Sequence, residues 1–182
     1  MHEISVDDLA QGAGISRPTF YFYFASKEAV LLSLLDEMVE EARSNRGEVM
    51  DRFMEDPPLW LRRGITAIYE TFRSHRAVAV AAVEAGVRSP EVRELWERVM
   101  EGFVQEVTLA IEHERARGAA PDGVPARDLA VALNLMNERV LVASFAGYSP
   151  TVDEDNVVDV LMAAWLGAIY GAPEPGADAA GG

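Results

Sequence analysis

The sequence contains no cysteine and only three histidines among its 182 residues. The absence of cysteine excludes disulfide bonds and thiolate chemistry, and His2, His75 and His113 are spaced too widely to suggest a metal site. We therefore expect no metal and no cofactor, and a chain that folds in the reducing cytoplasm. No segment approaches the roughly 18 uninterrupted apolar residues of a membrane span, and the N-terminus has no apolar signal segment, so we expect neither export nor membrane contact.

Basic residues are also scarce, with 16 Lys and Arg against 30 Asp and Glu, which gives a formal net charge of -14. Because general affinity for nucleic acid is mostly the neutralisation of phosphates, this balance argues against it. One stretch departs from the pattern: residues 9–27 contain no acid, and this is the longest such run in the chain. The gap suggests a surface that approaches an anionic partner, although chance alone would also produce it.

Caps and apolar spacing near the N-terminus predict two short helices separated by a turn. A capping box at Ser5 opens the first helix, which ends by Gly14, and Ser16 caps the second. The run of five aromatic residues from Phe20 to Phe24 resembles a strand by propensity. On a helix, however, its first and last members lie four apart and share an inward face, so we favour a helix. The result is a helix-turn-helix arrangement.

The remaining chain also reads as helical, so the predicted fold class is all-α. Apolar residues at spacings of 3 and 4 predict helices over about 26–46, from 56 through Phe72, and over 89–118, 127–146 and 153–170, with a further Ala/Val-rich helix after His75. Beyond Asp159 the last of these is apolar almost all round. Such a helix must be covered on two sides, which a homodimer can arrange more readily than a monomer.

Two stretches resemble a known family. "ISVDDLAQGAGISRPTFYFYFASKEAVLLSLL", residues 4–35, is similar to the helix-turn-helix of the TetR family of transcriptional repressors. "ALNLMNERVLVASFAG", residues 132–147, resembles one branch of that family, and the likeness extends over residues 3–171. The resemblance implies a homodimeric repressor that binds double-stranded operator DNA and is released by a mainly hydrophobic small molecule.

The resemblance also implies which residues meet DNA. Residues 16–23 would form the recognition helix in the major groove. The family's DNA-facing positions are Arg17, Pro18, Thr19, Tyr21, Phe22, Tyr23 and, for a phosphate, Lys27. The chemistry agrees, because an Arg fork suits guanine, a Thr methyl suits thymine, and Tyr hydroxyls and Lys suit phosphates. Ordinary packing is the alternative interpretation for the two tyrosines.

The start of the chain departs from the family pattern. Family members carry a full helix before the segment that matches "ISVDD", whereas this sequence begins at Met1. We therefore expect an incomplete helix-turn-helix unit, with lower stability and DNA affinity. The side chains expected to be partly uncovered are Leu9, Phe20, Phe24 and Leu34.

Three polar side chains, Asn134, Asn137 and Glu138, lie close together in an otherwise apolar helix. Buried amides must find hydrogen-bond partners, and these can be a ligand, a crossing helix, solvent or a dimer mate. The resemblance implies a long apolar tunnel through the C-terminal domain. Its matching positions are Trp60, Leu61, Gly64, Ile65, Ile68, Phe72, Trp96, Met100, Phe103, Asn134, Asn137, Glu138, Leu141 and Trp165. From the residues alone, these seams could equally be a filled core.

The expected organisation has three parts: an incomplete helix-turn-helix domain with its connecting helix at 1–46, a ligand-binding and dimerisation domain at 47–171, and a disordered Ala/Gly/Pro-rich tail at 172–182. Two other functions compete with a repressor. One is a truncated dimeric ligand-binding module without DNA-binding activity. The other is an all-α enzyme, which is weaker because no nucleophile, base and orienting group recur at a plausible spacing, so we expect no catalytic residues.

Overall fold

The structure is a computed structural model that describes residues 4–50 and 57–171. Within these ranges it consists of α-helices and one short 3-10 turn, and the predicted all-α class is confirmed. The helices are α1 (Val6–Gly12), α2 (Arg17–Tyr23), α3 (Lys27–Met50), α4 (Pro57–Ser74), α5 (Arg76–Gly86), α6 (Pro90–Ala116), α7 (Ala126–Ala146) and α8 (Val157–Tyr170). The expected tail at 172–182 lies outside the described residues.

The predicted N-caps are present at the starts of α1 and α2. The Ser5 side chain accepts a hydrogen bond from the Asp8 backbone N–H, and the Asp8 carboxylate accepts one from the Ser5 backbone, which completes the capping box. Ser16 Oγ accepts from the Thr19 backbone N–H. Gly14, in the turn between the helices, has a φ of 67°, a left-handed conformation that other residues rarely adopt. Four of the five aromatic residues are thus helical, as predicted, and Phe24 is the extended C-cap residue of α2.

The α1–α2 pair packs together, and α3 leads from it into the rest of the molecule. The expectation that Phe20 would be partly uncovered is wrong: it is only 3% exposed. Its ring faces inward, with its centre 5.9 Å from that of Phe24. Leu9 and Phe24 are half-buried and Leu34 is exposed, as expected.

The larger part of the fold is a bundle in which α3 packs against α4, α5 and α6, α6 packs against α7, and α8 packs against α4 and α7. One apolar core runs through it. α3 is continuous across residue 46, where the sequence placed a domain boundary, so this helix contributes to both parts. By length and composition alone α7 could cross a membrane, but its Leu133 and Leu141 are buried among neighbouring helices, so it is a core helix of this bundle.

Candidate DNA interface and ligand cavity

The α2 helix presents an aromatic surface to solvent. Tyr21, Phe22 and Tyr23 are 47%, 82% and 67% exposed. Three large aromatic side chains in succession are seldom all exposed on a protein surface, and their exposure suggests an interaction site. The other predicted DNA contacts lie around it: Arg17, Pro18 and Thr19 are exposed and Lys27 is half-buried. The structure therefore brings the predicted DNA-contacting residues together on and beside one short helix.

Two of these side chains already have partners within the protein. Nη1 of Arg17 donates a 2.8 Å hydrogen bond to Oδ2 of Asp7 in α1, and its guanidinium carbon lies 5.7 Å from the centre of the Tyr21 ring. The Tyr21 hydroxyl and the Asp7 carboxylate both raise the pKa of Arg17. Nζ of Lys27 donates to the Ile4 carbonyl over 3.4 Å, which ties the start of α1 to the start of α3.

A cavity lies between α4, α6, α7 and α8. The side chains that line it are mainly apolar, with two amides: Trp60, Leu61, Gly64, Ile65, Ile68, Phe103, Val107, Asn134, Asn137 and Trp165. Its volume is about 420 Å³ including the open mouth, but only about 30 Å³ of the interior is wide enough for the centre of a water molecule. The cavity is therefore narrow, and a larger molecule could enter only if the helices moved apart.

Nine of the fourteen predicted ligand-binding residues line this cavity. The remaining five lie elsewhere, and three of them form one cluster: Nε1 of Trp96 donates to Oε1 of Glu138 over 2.6 Å, and the Trp96 ring centre is 6.0 Å from that of Phe72. Leu141 is only 1% exposed and belongs to the core, while Met100 is half-buried on α6. Val107 lines the cavity and was not predicted; its position one helical turn after Phe103 is the signal that would have found it.

The two cavity amides expose opposite hydrogen-bonding groups. Nε1 of Trp165 donates to Oδ1 of Asn137 over 2.9 Å, and because an indole can only donate, this contact fixes the amide orientation. No acceptor among the described residues is hydrogen-bonded to Nδ2 of Asn137. Nδ2 of Asn134, in contrast, donates to the Ala130 carbonyl over 2.8 Å. Asn137 thus retains a donor and Asn134 an acceptor.

No group of three or more metal-binding side chains occurs in the part of the chain that the structure describes. The geometry supports a nucleic-acid surface on one short helix and an apolar cavity with two amides in the bundle. The comparisons with known proteins bear on the family and the fold.

Two family models cover most of the chain. The model for the C-terminal domain of the transcriptional regulator EthR matches residues 61–171, and the model for bacterial regulatory proteins of the tetR family matches residues 1–34. Between them they include α1, α2 and nearly all of the residues that line the cavity.

Individual relatives agree with these models. The HTH-type transcriptional regulator EthR of Mycolicibacterium smegmatis is 51% identical over 169 residues, which span 93% of this chain and 78% of that protein. EthR of Mycobacterium tuberculosis is 51% identical over 175 residues, spanning 93% and 79% of the two chains.

A solved structure supports the fold. The TetR family transcriptional regulator PfmR from Thermus thermophilus superposes with a TM-score of 0.73 at 20% identity, covering 94% of this chain and 90% of that one. The curated relatives are named as transcriptional regulators, not as enzymes. The chain belongs to the TetR family of helix-turn-helix transcriptional regulators and carries an EthR-type C-terminal domain.

Proposed function

We propose that this protein is a homodimeric repressor that leaves its operator DNA when a mainly apolar small molecule enters the cavity. The observation that carries the proposal is the position of α4. This helix supplies five of the cavity-lining residues and also packs against α3, the helix that follows the recognition helix. A change in the width of the cavity would therefore move α4, and through α3 it would shift the DNA-binding unit.

The cavity indicates the chemistry of the ligand. Indole, phenyl and aliphatic side chains would bury a hydrocarbon chain, at about 25 cal/mol for each Å² removed from water. Nδ2 of Asn137 would donate to one acceptor on the ligand, such as a carbonyl oxygen, for a net gain of ~0.5 to 1.5 kcal/mol. Oδ1 of Asn134 could in turn accept from a ligand donor. The amides would orient the ligand more than they would bind it.

The narrowness of the cavity supports a link between ligand binding and release from DNA. A ligand larger than water must separate α4 from α6 and α7, so it would bind an open conformation more tightly than the closed one. In a dimer, movement of α4 and α3 would change the spacing of the two recognition helices, which must match major-groove turns about 34 to 36 Å apart. By linkage, a ligand that weakens DNA binding is itself bound less tightly when DNA is present.

On the DNA side, α2 would enter the major groove. Arg17 would contact a guanine, Thr19 and Phe22 would meet base edges or methyl groups, and Tyr21, Tyr23 and Lys27 would approach phosphates. Pro18 would set the start of the helix next to the backbone. Because operator DNA lies in the bacterial cytoplasm, we place the protein there.

The test uses two ligands of equal length, a linear methyl ketone and the matching terminal alkene, titrated against the protein on a labelled duplex. The duplex is selected by the wild-type protein from a randomised library. The key variant is Asn137→Leu combined with Trp165→Phe. Replacing Asn137 alone would leave a buried indole N–H without its acceptor, at ~1 to 3 kcal/mol. Trp165→Phe alone is the control.

We expect the ketone to release DNA at a lower concentration than the alkene from both the wild type and Trp165→Phe. In the double variant this advantage should shrink by about threefold to tenfold, while release by the alkene changes little. Equal losses for both ligands would mean that Asn137 is structural. Failure of the wild type to select any duplex would instead support a ligand-binding module without DNA-binding activity.

A further inference from the structure

Asp7, near the start of α1, reaches across to the first residue of the recognition helix. Its Oδ2 accepts a 2.8 Å hydrogen bond from Nη1 of Arg17. The same guanidinium lies 5.7 Å from the centre of the Tyr21 ring, within the range of a cation–π contact. The Arg17 side chain is thus held by a carboxylate and by an aromatic ring, although it is exposed.

Capping does not explain this carboxylate. The neighbouring Asp8 forms the capping box, with its Oδ2 accepting from the Ser5 backbone N–H at 2.9 Å and from the Ser5 hydroxyl at 2.6 Å. Asp7 takes no part in that box, and it lies two residues before the acid-free stretch of residues 9–27. An acid at this position should repel phosphates and weaken general affinity for DNA.

A carboxylate in the first turn of α1 favours the helix dipole, but that effect does not require a contact with Arg17, and the ion pair itself adds little. The side chains of Arg17 and Asp7 are 56% and 63% exposed, and ion pairs with this much exposure contribute little to folding. What the contact does change is the freedom of the Arg17 side chain, which has many rotamers when unrestrained. A guanidinium bonded through one Nη1 hydrogen still has enough N–H groups to form a two-point contact with guanine O6 and N7.

We propose that Asp7 is a positioning residue that orients Arg17 for reading one base pair, and that it acts on sequence discrimination at the expense of general affinity. This inference rests on the proposed DNA-binding function, in which Arg17 contacts a base. It predicts that removing the carboxylate lowers the preference for the selected duplex while affinity for random DNA stays the same or rises.

The experiment measures Kd for the duplex selected by the wild-type protein, for its single base-pair variants and for a random duplex of equal length. The variants are Arg17→Ala, Asp7→Asn, Asp7→Ala and the combination of Arg17→Ala with Asp7→Asn. Glu28→Gln is the matched control, because it removes one negative charge from the other edge of the acid-free stretch. Thermal unfolding of each variant checks that the fold persists.

Arg17→Ala should lower discrimination at one base pair by roughly 5- to 150-fold, the range of a bidentate contact. Asp7→Asn and Asp7→Ala should lower discrimination at that same base pair by about threefold to tenfold. Their affinity for the random duplex should stay the same or rise, as it should for Glu28→Gln. In the Arg17→Ala background, Asp7→Asn should leave discrimination unchanged.

A uniform rise in affinity for every duplex, with discrimination intact, would show that Asp7 only repels phosphate and would overturn the proposal. Loss of discrimination by Asp7→Asn in the Arg17→Ala background would also overturn it, because the effect would not pass through Arg17. Wild-type discrimination by Arg17→Ala itself would contradict the docking of α2, a failure of the proposed function that is distinct from a failure of Asp7 alone.

Discussion

At the scale of single residues, Glu114 stands out as a buried carboxylate with a full set of partners. It is 1% exposed. Arg117 donates to its two oxygens over 2.7 and 2.6 Å, and the Tyr170 hydroxyl donates over 2.9 Å. These bonds join the end of α6 to the end of α8. The Arg117 contact lowers the pKa of Glu114, and this outweighs the opposite effect of burial.

The lowered pKa makes a prediction about acid stability. Because the folded-state pKa lies below the ordinary value of 4.5, the unfolded chain takes up this proton first as the pH falls. The stabilisation is therefore fully present above about pH 4.5 and is lost as the pH drops through the folded-state value. Glu114→Gln should lower the free energy of unfolding by ~1 to 3 kcal/mol at pH 7 and reduce its fall between about pH 5 and pH 3.

Urea unfolding of both proteins at several pH values measures this. Tyr170→Phe is the control, since it removes one neutral hydrogen-bond donor, leaves the Arg117 pair intact and should lose only ~0.5 to 1.5 kcal/mol. An identical pH dependence in the wild type and Glu114→Gln would show that the carboxylate does not contribute to acid sensitivity.

The sequence identified the buried amides of α7 but not their orientation. Polar side chains in an apolar helix must find partners, so Asn134 and Asn137 could be chosen without a structure. Which end of Asn137 remains available depends on Trp165, 28 residues later in α8, and local pattern carries no information about that contact. The same limit explains why Glu138 was grouped with them although it pairs with Trp96 beside the cavity.

At the scale of helices, α7 and α8 have apolar residues on two sides. One side of α8 is buried through Leu161, Trp165 and Ile169. Its other side exposes Val160, and α7 exposes Leu135, which are 44% and 52% exposed. The sequence predicted that α8 would need covering on both sides, and the bundle covers one of them. These exposed apolar side chains favour a second copy of the chain as their cover.

Substitutions of these two side chains test the dimer. Leu135→Glu and Val160→Glu should each weaken self-association by at least ~2 kcal/mol, because a charge would be buried without a partner in the interface. Sedimentation velocity across a concentration series measures the effect. Val87→Glu is the matched control, since Val87 is 82% exposed in the turn between α5 and α6 and should leave the dimer intact. Identical profiles for all three variants and the wild type would place the interface elsewhere.

Helix boundaries were predictable wherever the sequence supplies a cap. Ser16 and Ser89 accept hydrogen bonds from the backbones of Thr19 and Val92, as their positions suggested. The packing of helices was less accessible, because it depends on side chains that are distant in sequence. Apolar residues at helical spacing in α4 and α6 could line a cavity or fill the core. Only the three-dimensional arrangement shows that Phe103 lines the cavity and that Phe72 packs against Trp96.

At the scale of the whole molecule, charge is distributed so that one small region can approach DNA. The net charge of -14 repels a polyanion, and the acid-free residues 9–27 are the exception. The DNA-facing unit combines this gap with exposed aromatic residues on α2 and with Lys27 at the start of α3. Binding that depends on so few cations should have a shallow salt dependence compared with that of strongly basic DNA-binding proteins.

The contribution of Lys27 to the salt dependence of DNA binding can be measured. Its Nζ donates to the Ile4 carbonyl over a long 3.4 Å bond, which a phosphate oxygen could replace when DNA binds. If Lys27 neutralises one phosphate, Lys27→Ala should reduce the slope of log K against log salt by about 1 and weaken binding to selected and random duplexes alike. Fluorescence anisotropy across a potassium chloride series measures the slope.

Arg88→Ala is the charge-matched control, because it changes the net charge equally from an exposed position between α5 and α6. Its slope should match that of the wild type. An unchanged slope with reduced affinity in Lys27→Ala would mean that Lys27 supports the DNA-binding unit through Ile4 and does not neutralise a phosphate.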